Sequence, residues 1–401
     1  MALNDIIFKK ENGGMGRTAA NEDVVSGLIM SMVGGLTAGN DKWKLTNGLQ
    51  VAKLSFFEQL SDDFGFEETV LKGLTSPALE VAAAKNAVIY HVREFFRMSP
   101  TGTLYLAVKP TGEVTADEIK SLQCFAEGKI RQVGVFTATL VSIDDYQAAA
   151  TELESEHQPL SIIIAPAKAT LTLNGLKVEG QYTEKDRSNV SILVGADLDP
   201  VLAERIGDFA QYGCIGTCLG AVSKAAVHEC IAWVGKFPLG LKVPGFITGE
   251  QVRDVSTDNL KLLNNARLIF VRTHVGDSDS YFNDSHTLDT VTSDYAFIEN
   301  VRTMDKAVRG IRTNLLPHLN APLYVDAASG KIALSTVSFL ENEASRALEA
   351  MEKAGELSGY RAEINPEQNV LATSELEVVI KNVPVGVMRK VTVKIGYTTK
   401  L

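Results

Sequence analysis

The run of residues 160–165 constrains the fold most, because five of its six residues are apolar and three are isoleucines. Such a strand is expected where helices cover both faces of a parallel sheet. Further short strands are predicted at 104–108, 133–140 and 190–195. Helical patterns separate these strands, and that alternation implies right-handed crossovers. We therefore predict an α/β or mixed α+β fold with a parallel or mixed sheet.

The intervening helices have recognisable starts. Residues 82–96, 115–126 and 143–157 are predicted helices. Thr115 with Glu118 three positions later is the pattern of a capping box, and Ser142 with Asp144 suits the start of the third helix.

The last 130 residues change character. Apolar residues recur every three or four positions over 297–316, which predicts a long helix that Pro317 ends. After a turn at Ser329 and Gly330, a second long helix is predicted from Val337 to Met351, with Gly355 near its end.

The C-terminus alternates apolar and polar residues. Leu376, Val378 and Ile380 form one such stretch, and a second follows the turn at 383–386. Its apolar members are Val391, Val393, Ile395 and Tyr397. This pattern predicts an antiparallel hairpin with one apolar face. Because a lone hairpin is marginal in water, it either closes its own domain or is completed by a strand from another chain.

The first 40 residues are rich in glycine, which disfavours helix and predicts an extended arm. This arm is a plausible donor of the strand that completes another subunit's sheet. Phe8 and Arg17 are its candidate intersubunit residues.

Composition excludes several classes of function. The chain has 401 residues, 39 basic and 49 acidic, so its net charge is −10. A dedicated nucleic-acid binder would carry a basic excess instead. No apolar run approaches the ~20 residues of a membrane span, and the first 14 residues lack a signal-peptide pattern. We expect a cytosol-like compartment and two or three domains.

No motif predicts catalysis, a cofactor or a metal. Cys214, Cys218 and Cys230 cluster near His228, but the spacing favours core packing over zinc. The glycines at 213, 216 and 220 lack the spacing of a nucleotide-binding loop and favour close helix packing. The acidic stretch 277–294 has Tyr281 and Phe282 where a calcium loop needs an oxygen ligand and glycine, so a solvated loop is expected.

A basic stripe follows the first long helix. Its members are Arg302, Lys306, Arg309 and Arg312. They either form a solvated face paired with acids of the same chain or dock against an acidic partner.

Taken together, the chain resembles the contractile tail sheath proteins of bacteriophages and related contractile injection systems, most closely the short sheath-like proteins of Bacteroidetes-type phages and prophages. The resemblance covers most of the chain. It is carried by Phe8-Lys9, Gly13 to Arg17, Val227 to Val234, Asp294-Tyr295, Asp305 to Arg312, Val325-Asp326, Gly330 to Ile332, Met351 and Pro384 to Gly386.

The resemblance implies a sheath-type subunit without enzymatic activity or cofactors. It implies an N-terminal arm (1–40), an α/β outer body (41–265), a tube-proximal domain of two long helices on a mixed sheet (266–385) and a C-terminal arm or strand (386–401). Such subunits polymerise helically, with sixfold symmetry, around a tail tube, and their arms add strands to a neighbour's C-terminal sheet. The basic stripe would then face the tube or a neighbour.

The implied partners are further copies of the chain, the tube protein, and baseplate and tail terminator proteins, without direct nucleic-acid contact or membrane insertion. The sheath would assemble in the host cytoplasm, become part of the virion tail, and contract to drive the tube through the host envelope. Two alternatives stay open. One is a nucleotide-binding α/β enzyme with its site near 213–220, and the other is a tail or baseplate component that does not contract.

Overall fold

The computed structural model describes residues 22–32, 43–46, 48–110, 112–137, 140, 143–166, 172–177, 182, 186–326 and 330–398. The strands are β1 (Val25–Ser31), β2 (Lys44–Thr46), β3 (Leu49–Leu54), β4 (Thr103–Lys109), β5 (Gln132–Thr137), β6 (Ser161–Pro166), β7 (Val190–Ile192), β8 (Gly195–Asp197), β9 (Pro244–Phe246), β10 (Val271–Thr273), β11 (Ser280–Phe282), β12 (Leu357–Glu363) and β13 (Val379–Pro384). The helices are α1 (Gln59–Asp62), α2 (Ala78–Met98), α3 (Ala116–Phe125), α4 (Ile143–Ser155), α5 (Leu173–Leu176), α6 (Pro200–Ile206), α7 (Ile215–Lys224), α8 (Thr257–Asn265), α9 (Ile298–Leu315), α10 (Leu334–Lys353) and α11 (Val370–Thr373). The predicted mixed α/β class is confirmed.

The body is built on a seven-stranded sheet with the order β2-β3-β4-β1-β5-β6-β7. The strands from β4 to β7 in this order are parallel, and β3 and β2 extend the sheet antiparallel at one edge. Every residue of β6 is buried, as its apolar run predicts. The capping box between Thr115 and Glu118 is present at the start of α3.

β1 corrects the prediction of an arm over residues 1–40. Residues 25–31 lie between β4 and β5, in the middle of the main sheet. Gly27 fits there because a Cβ atom would come within 3.1 Å of both Leu122 and Val133, so this glycine marks close packing. Phe8 and Arg17 lie outside the described residues, and so does the rest of the predicted arm before residue 22.

Helix α7 packs on α2 through glycines, as the sequence predicts. A Cβ on Gly216 would lie 2.1 Å from the carbonyl oxygen of His91, and one on Gly220 would lie 2.6 Å from the Cβ of Met98. Cys214 and Cys218 are buried in the same core, where burial raises the pKa of both thiols. Helix α2 therefore fills the space beside Gly216 and Gly220.

The acidic stretch 277–294 is not the solvated loop that its charge predicts. Asp284, His286 and Asp289 are all buried. Leu288 belongs to the main core, and β10 pairs with β11 across the start of the stretch. Leu268, Ile269 and Phe270 also lie in this core. The residues after the predicted domain boundary at 265/266 thus pack with the body.

Helices α9 and α10 match the two predicted long helices and pack together beside a two-stranded sheet of β12 and β13. Ala307, Leu348, Met351 and Leu357 form the small core between them. The predicted hairpin is wrong, because Val379–Pro384 pairs with Leu357–Glu363 and not with residues 391–397. Gly355, with φ of 75°, ends α10 and turns the chain into β12.

Candidate intersubunit interface

Residues 386–397 follow β13 as an unpaired segment with an apolar face. No helix or strand is assigned to them. Val391, Val393, Ile395 and Tyr397 are exposed by 63, 77, 95 and 110%. Burying such side chains stabilises a structure by about 1.5–3 kcal/mol each. The segment therefore has the composition of a strand, but it is not paired with any strand of the described residues.

The β12–β13 sheet is the candidate acceptor for an added strand. Within the described ranges it contains only these two strands, so each has an edge without a strand beside it. Val379 and Val383 of β13 are exposed by 43 and 55%. An open edge presents unpaired backbone N–H and C=O groups that can pair with an added strand. Donor segment and acceptor edge thus occur in the same chain.

Arg389 fastens the start of the unpaired segment to the body. Its Nε donates hydrogen bonds to both carboxylate oxygens of Asp284 at 3.0 Å. One Nη donates to Glu299, and the guanidinium carbon lies 3.5 Å from the centre of the Phe297 ring. We call Asp284, Phe297 and Glu299 the arginine socket. Its acids come from the buried loop after β11 and from the first turn of α9.

The socket is buried and electrostatically matched to its arginine. Glu299 is 2% exposed and Asp284 8%. Burial raises the pKa of Glu299, although the charge of Arg389 and a hydrogen bond from Ser285 act in the opposite direction. Burial lowers the pKa of Arg389, but Glu299 and Asp284 outweigh it and raise that pKa overall. Each side of the contact stabilises the charged form of the other.

A cavity of about 630 Å³ lies beside this contact. Residues 385–389 form one wall, and Trp233 and His274 are among the residues opposite. Trp233 is half exposed. The stretch 227–234, which the sequence singled out, therefore lies next to the root of the C-terminal segment.

Most residues of the basic stripe on α9 form ion pairs or hydrogen bonds within their own chain. Lys306 and Arg309 form ion pairs with Asp23 at 2.8 and 2.7 Å. Arg302 is buried and donates to the backbone oxygens of Asp23 and Ala225. Three members of the stripe thus contact Asp23, just before β1 in the same chain, and the expectation that the stripe faces a tube or neighbour stays a prediction. Arg312 is exposed and stays a predicted contact.

Burial and pairing together set the pKa values of these charges. Burial lowers the pKa of Arg302 to about 10. Burial alone would raise the pKa of Asp23, but the hydrogen bond and charge of Lys306, with Arg309 and Arg302, hold it below its ordinary value. Asp23 is therefore a buried counter-ion.

Arg389 and Asp23 are the residues that the sequence does not single out. Arg389 stands between Met388 and Lys390 in an alternating stretch, where it has the pattern of a solvated side chain. Its partners lie 105 and 90 positions away. No local pattern could identify such a contact.

The described residues contain no cluster of three or more metal-ligating side chains. Among the same residues, no helix is long and apolar enough to cross a bilayer.

Protein-family models and solved structures match the chain over most of its length. The model of "DUF2586, N-terminal domain" matches residues 3–286, and that of "DUF2586, C-terminal domain" matches residues 294–401. No curated protein sequence matches it.

Three similar solved structures come from contractile assemblies. The contracted helical sheath of the anti-feeding prophage is 13% identical with a TM-score of 0.62, over 99% of both chains. The contracted PVC sheath complex of an extracellular contractile injection system is 12% identical with a TM-score of 0.61, over 100% of this chain and 99% of that one. A chain of the sixfold-symmetrised baseplate of the anti-feeding prophage is 13% identical with a TM-score of 0.60, over all of both chains. At these identities the resemblance establishes a shared fold.

Proposed function

The chain belongs to the DUF2586 family, and we propose that it is the structural subunit of a contractile sheath. It polymerises helically with further copies of itself around a tail tube. Contraction of this lattice drives the tube through a host envelope. The observation that carries the proposal is that one sheath-type fold contains both an exposed apolar segment, at 391–397, and a β12–β13 sheet with open edges.

The assembly rests on strand exchange. The C-terminal segment of one subunit, and the N-terminal arm with Phe8 and Arg17, add strands to the β12–β13 sheet of a neighbour. Backbone hydrogen bonds supply affinity, and the alternating apolar side chains set the register. Because every subunit both donates and accepts, the contacts are heterologous and propagate into a helical lattice.

The remaining partners follow from this arrangement. They are the tube protein, baseplate proteins and a terminator, in a lattice of sixfold symmetry. Arg312 is the member of the basic stripe available to a tube or a neighbouring subunit. The sheath forms in the host cytoplasm and belongs to a phage virion or a phage-like injection system. The mechanism uses no active site, since contraction moves rigid bodies to a lattice that buries more surface.

A non-contracting baseplate component is the second candidate, because a baseplate chain is among the similar structures. The nucleotide-binding enzyme has less support, since α2 fills the space beside Gly216 and Gly220.

Negative-stain electron microscopy of the purified chain, alone and mixed with a tube protein from the same source, tests the proposal. We expect hollow, striated tubes of uniform width in at least one sample. Discrete rings or particles in both would favour the baseplate component, and monomers in both would contradict the sheath.

A further inference from the structure

The root of the C-terminal segment is held at one point. Within the described residues, Arg389 makes all the polar contacts by which residues 385–397 touch the body. The predicted C-terminal arm begins at Gly386, two residues after Pro384 ends β13. The arginine socket moves the fixed point three residues further along the chain.

We propose that Arg389 in its socket is a positioning residue that sets where, and in which direction, the C-terminal strand leaves the subunit. This inference rests on the proposed function, because it concerns the strand donated to a neighbour. Residues 385–389 move with the body, and the hinge begins at Lys390.

Breaking the contact between Arg389 and the arginine socket costs free energy because its acids are buried. Asp284 and Glu299 are buried acids, and removing the partner of a buried ion pair is far more costly than losing an exposed one. Arg267 is the other guanidinium beside Phe297, at 4.9 Å from the ring centre. Its hydrogen bonds go to the backbone oxygens of Thr287 and Ala296, so it does not replace Arg389 as a donor to the two acids.

The fixed point limits the geometry of the lattice. The proposed exchanged strand ends at Tyr397, and residues 390–397, fully extended at ~3.3 Å per residue, reach about 26 Å. The place where Tyr397 pairs with a receiving β12–β13 sheet must therefore lie within about 26 Å of the donor's socket. A hinge at Gly386 would allow a longer and less directed reach.

The test separates positioning from stability. Arg389→Met leaves two buried acids without the guanidinium that donates to them and is expected to destabilise the body. Adding Asp284→Asn and Glu299→Gln in the same chain makes the socket neutral and restores the stability while the arm stays unfastened. Arg253→Met is the matched control, because Arg253 is exposed, lies outside the β12–β13 sheet and pairs locally with Asp254.

Two readouts follow the arm. Spin labels at Lys390→Cys and Lys261→Cys, in a chain with Cys124→Ser, report the distance from the arm to the body in the unassembled subunit. We expect a narrow distance distribution with Arg389 present and a broad one in the neutral-socket triple variant. Electron microscopy should show tube yield falling about tenfold or more. Arg389→Lys should restore part of it.

The outcomes are distinguishable from failure of the sheath function. A triple variant that keeps the narrow distribution, or that forms tubes in wild-type yield and width, overturns the positioning role. If the wild type and Arg253→Met form no tubes, the proposed function fails. The distance distributions then still decide whether Arg389 fixes the arm.

Discussion

Asp305 is a buried carboxyl on α9 whose charge is poorly accommodated. Burial raises its pKa to about 7, and Glu154 acts in the same direction. Arg309, Arg131 and Arg302 act in the opposite direction but do not offset burial. Its neighbour Lys306 has a raised pKa, because Asp23 and Glu356 outweigh the effect of burial. Adjacent positions on one helix therefore differ in how well the fold stabilises their charge.

The raised pKa of Asp305 predicts a pH-dependent stability. The folded state binds the proton more tightly than the unfolded chain, whose ordinary value is 3.8. The free energy of unfolding should therefore fall as pH rises from about 4 to about 7 and then level off. Asp305→Asn removes this loss and should exceed the wild type by at most about 4 kcal/mol above pH 7. Urea unfolding at several pH values measures the difference.

Asp258→Asn is the matched control for this experiment, since Asp258 lies exposed on α8 beside Lys261. Its difference from the wild type should change little between pH 4 and pH 8. If the Asp305→Asn difference is equally flat, the carboxyl is ionised throughout and the assignment is wrong.

The partners of individual charged residues could not be predicted from the sequence. The basic stripe on α9 was recognisable from its spacing, but its counter-ion Asp23 lies 286 positions before Arg309. A partner at that separation has no local signature. The same holds for Arg389 and its socket, so the residues that fasten the arm emerge only from the tertiary structure.

Helices and strands were predictable in proportion to their periodicity. The regular stripes of α9 and α10 and the apolar run of β6 placed those elements within a few residues. β12 was not predicted, because Ser358 and Gly359 break the alternation where the strand has a register shift, and its burial alternates only weakly. β1 was assigned to an arm because its glycine was attributed to an extended chain, whereas neighbouring side chains require it.

The contact between α2 and α7 gives a prediction for Gly216. Alanine there gains up to about 1 kcal/mol of helix propensity. However, its Cβ would overlap the carbonyl oxygen of His91, which is backbone and cannot rotate away. Overpacking of this kind costs about 1–3 kcal/mol or more, so Gly216→Ala should be destabilising overall. Urea unfolding measures the change.

Gly359→Ala is the control, because no atom lies within 4 Å of the added Cβ and the backbone is not left-handed. We expect a change close to zero. A neutral Gly216→Ala would mean that α7 does not approach α2 as closely as described.

The proposed assembly depends on apolar side chains that a single subunit leaves exposed to solvent. The four apolar side chains of residues 391–397 contribute little to the fold that exposes them. Buried in a neighbour's sheet, they could together stabilise each contact by roughly 6–12 kcal/mol before ordering costs. Removing the predicted arm, residues 386–401, would also remove Arg389 and would not separate the loss of the apolar face from the loss of the socket contact. Substitutions beyond Arg389 avoid this problem.

Serine at positions 391, 393, 395 and 397 should therefore abolish tubes and leave the subunit folded. The unfolding midpoint should match the wild type, since these side chains are 63–110% exposed. The variant Lys390→Ser, Thr392→Ser, Lys394→Ser changes the alternate face over the same segment and should still assemble. Electron microscopy and sedimentation at equal concentration compare the two. If the first variant forms tubes as the second does, the apolar face is not what the neighbouring sheet receives, and the C-terminal segment is not the exchanged strand.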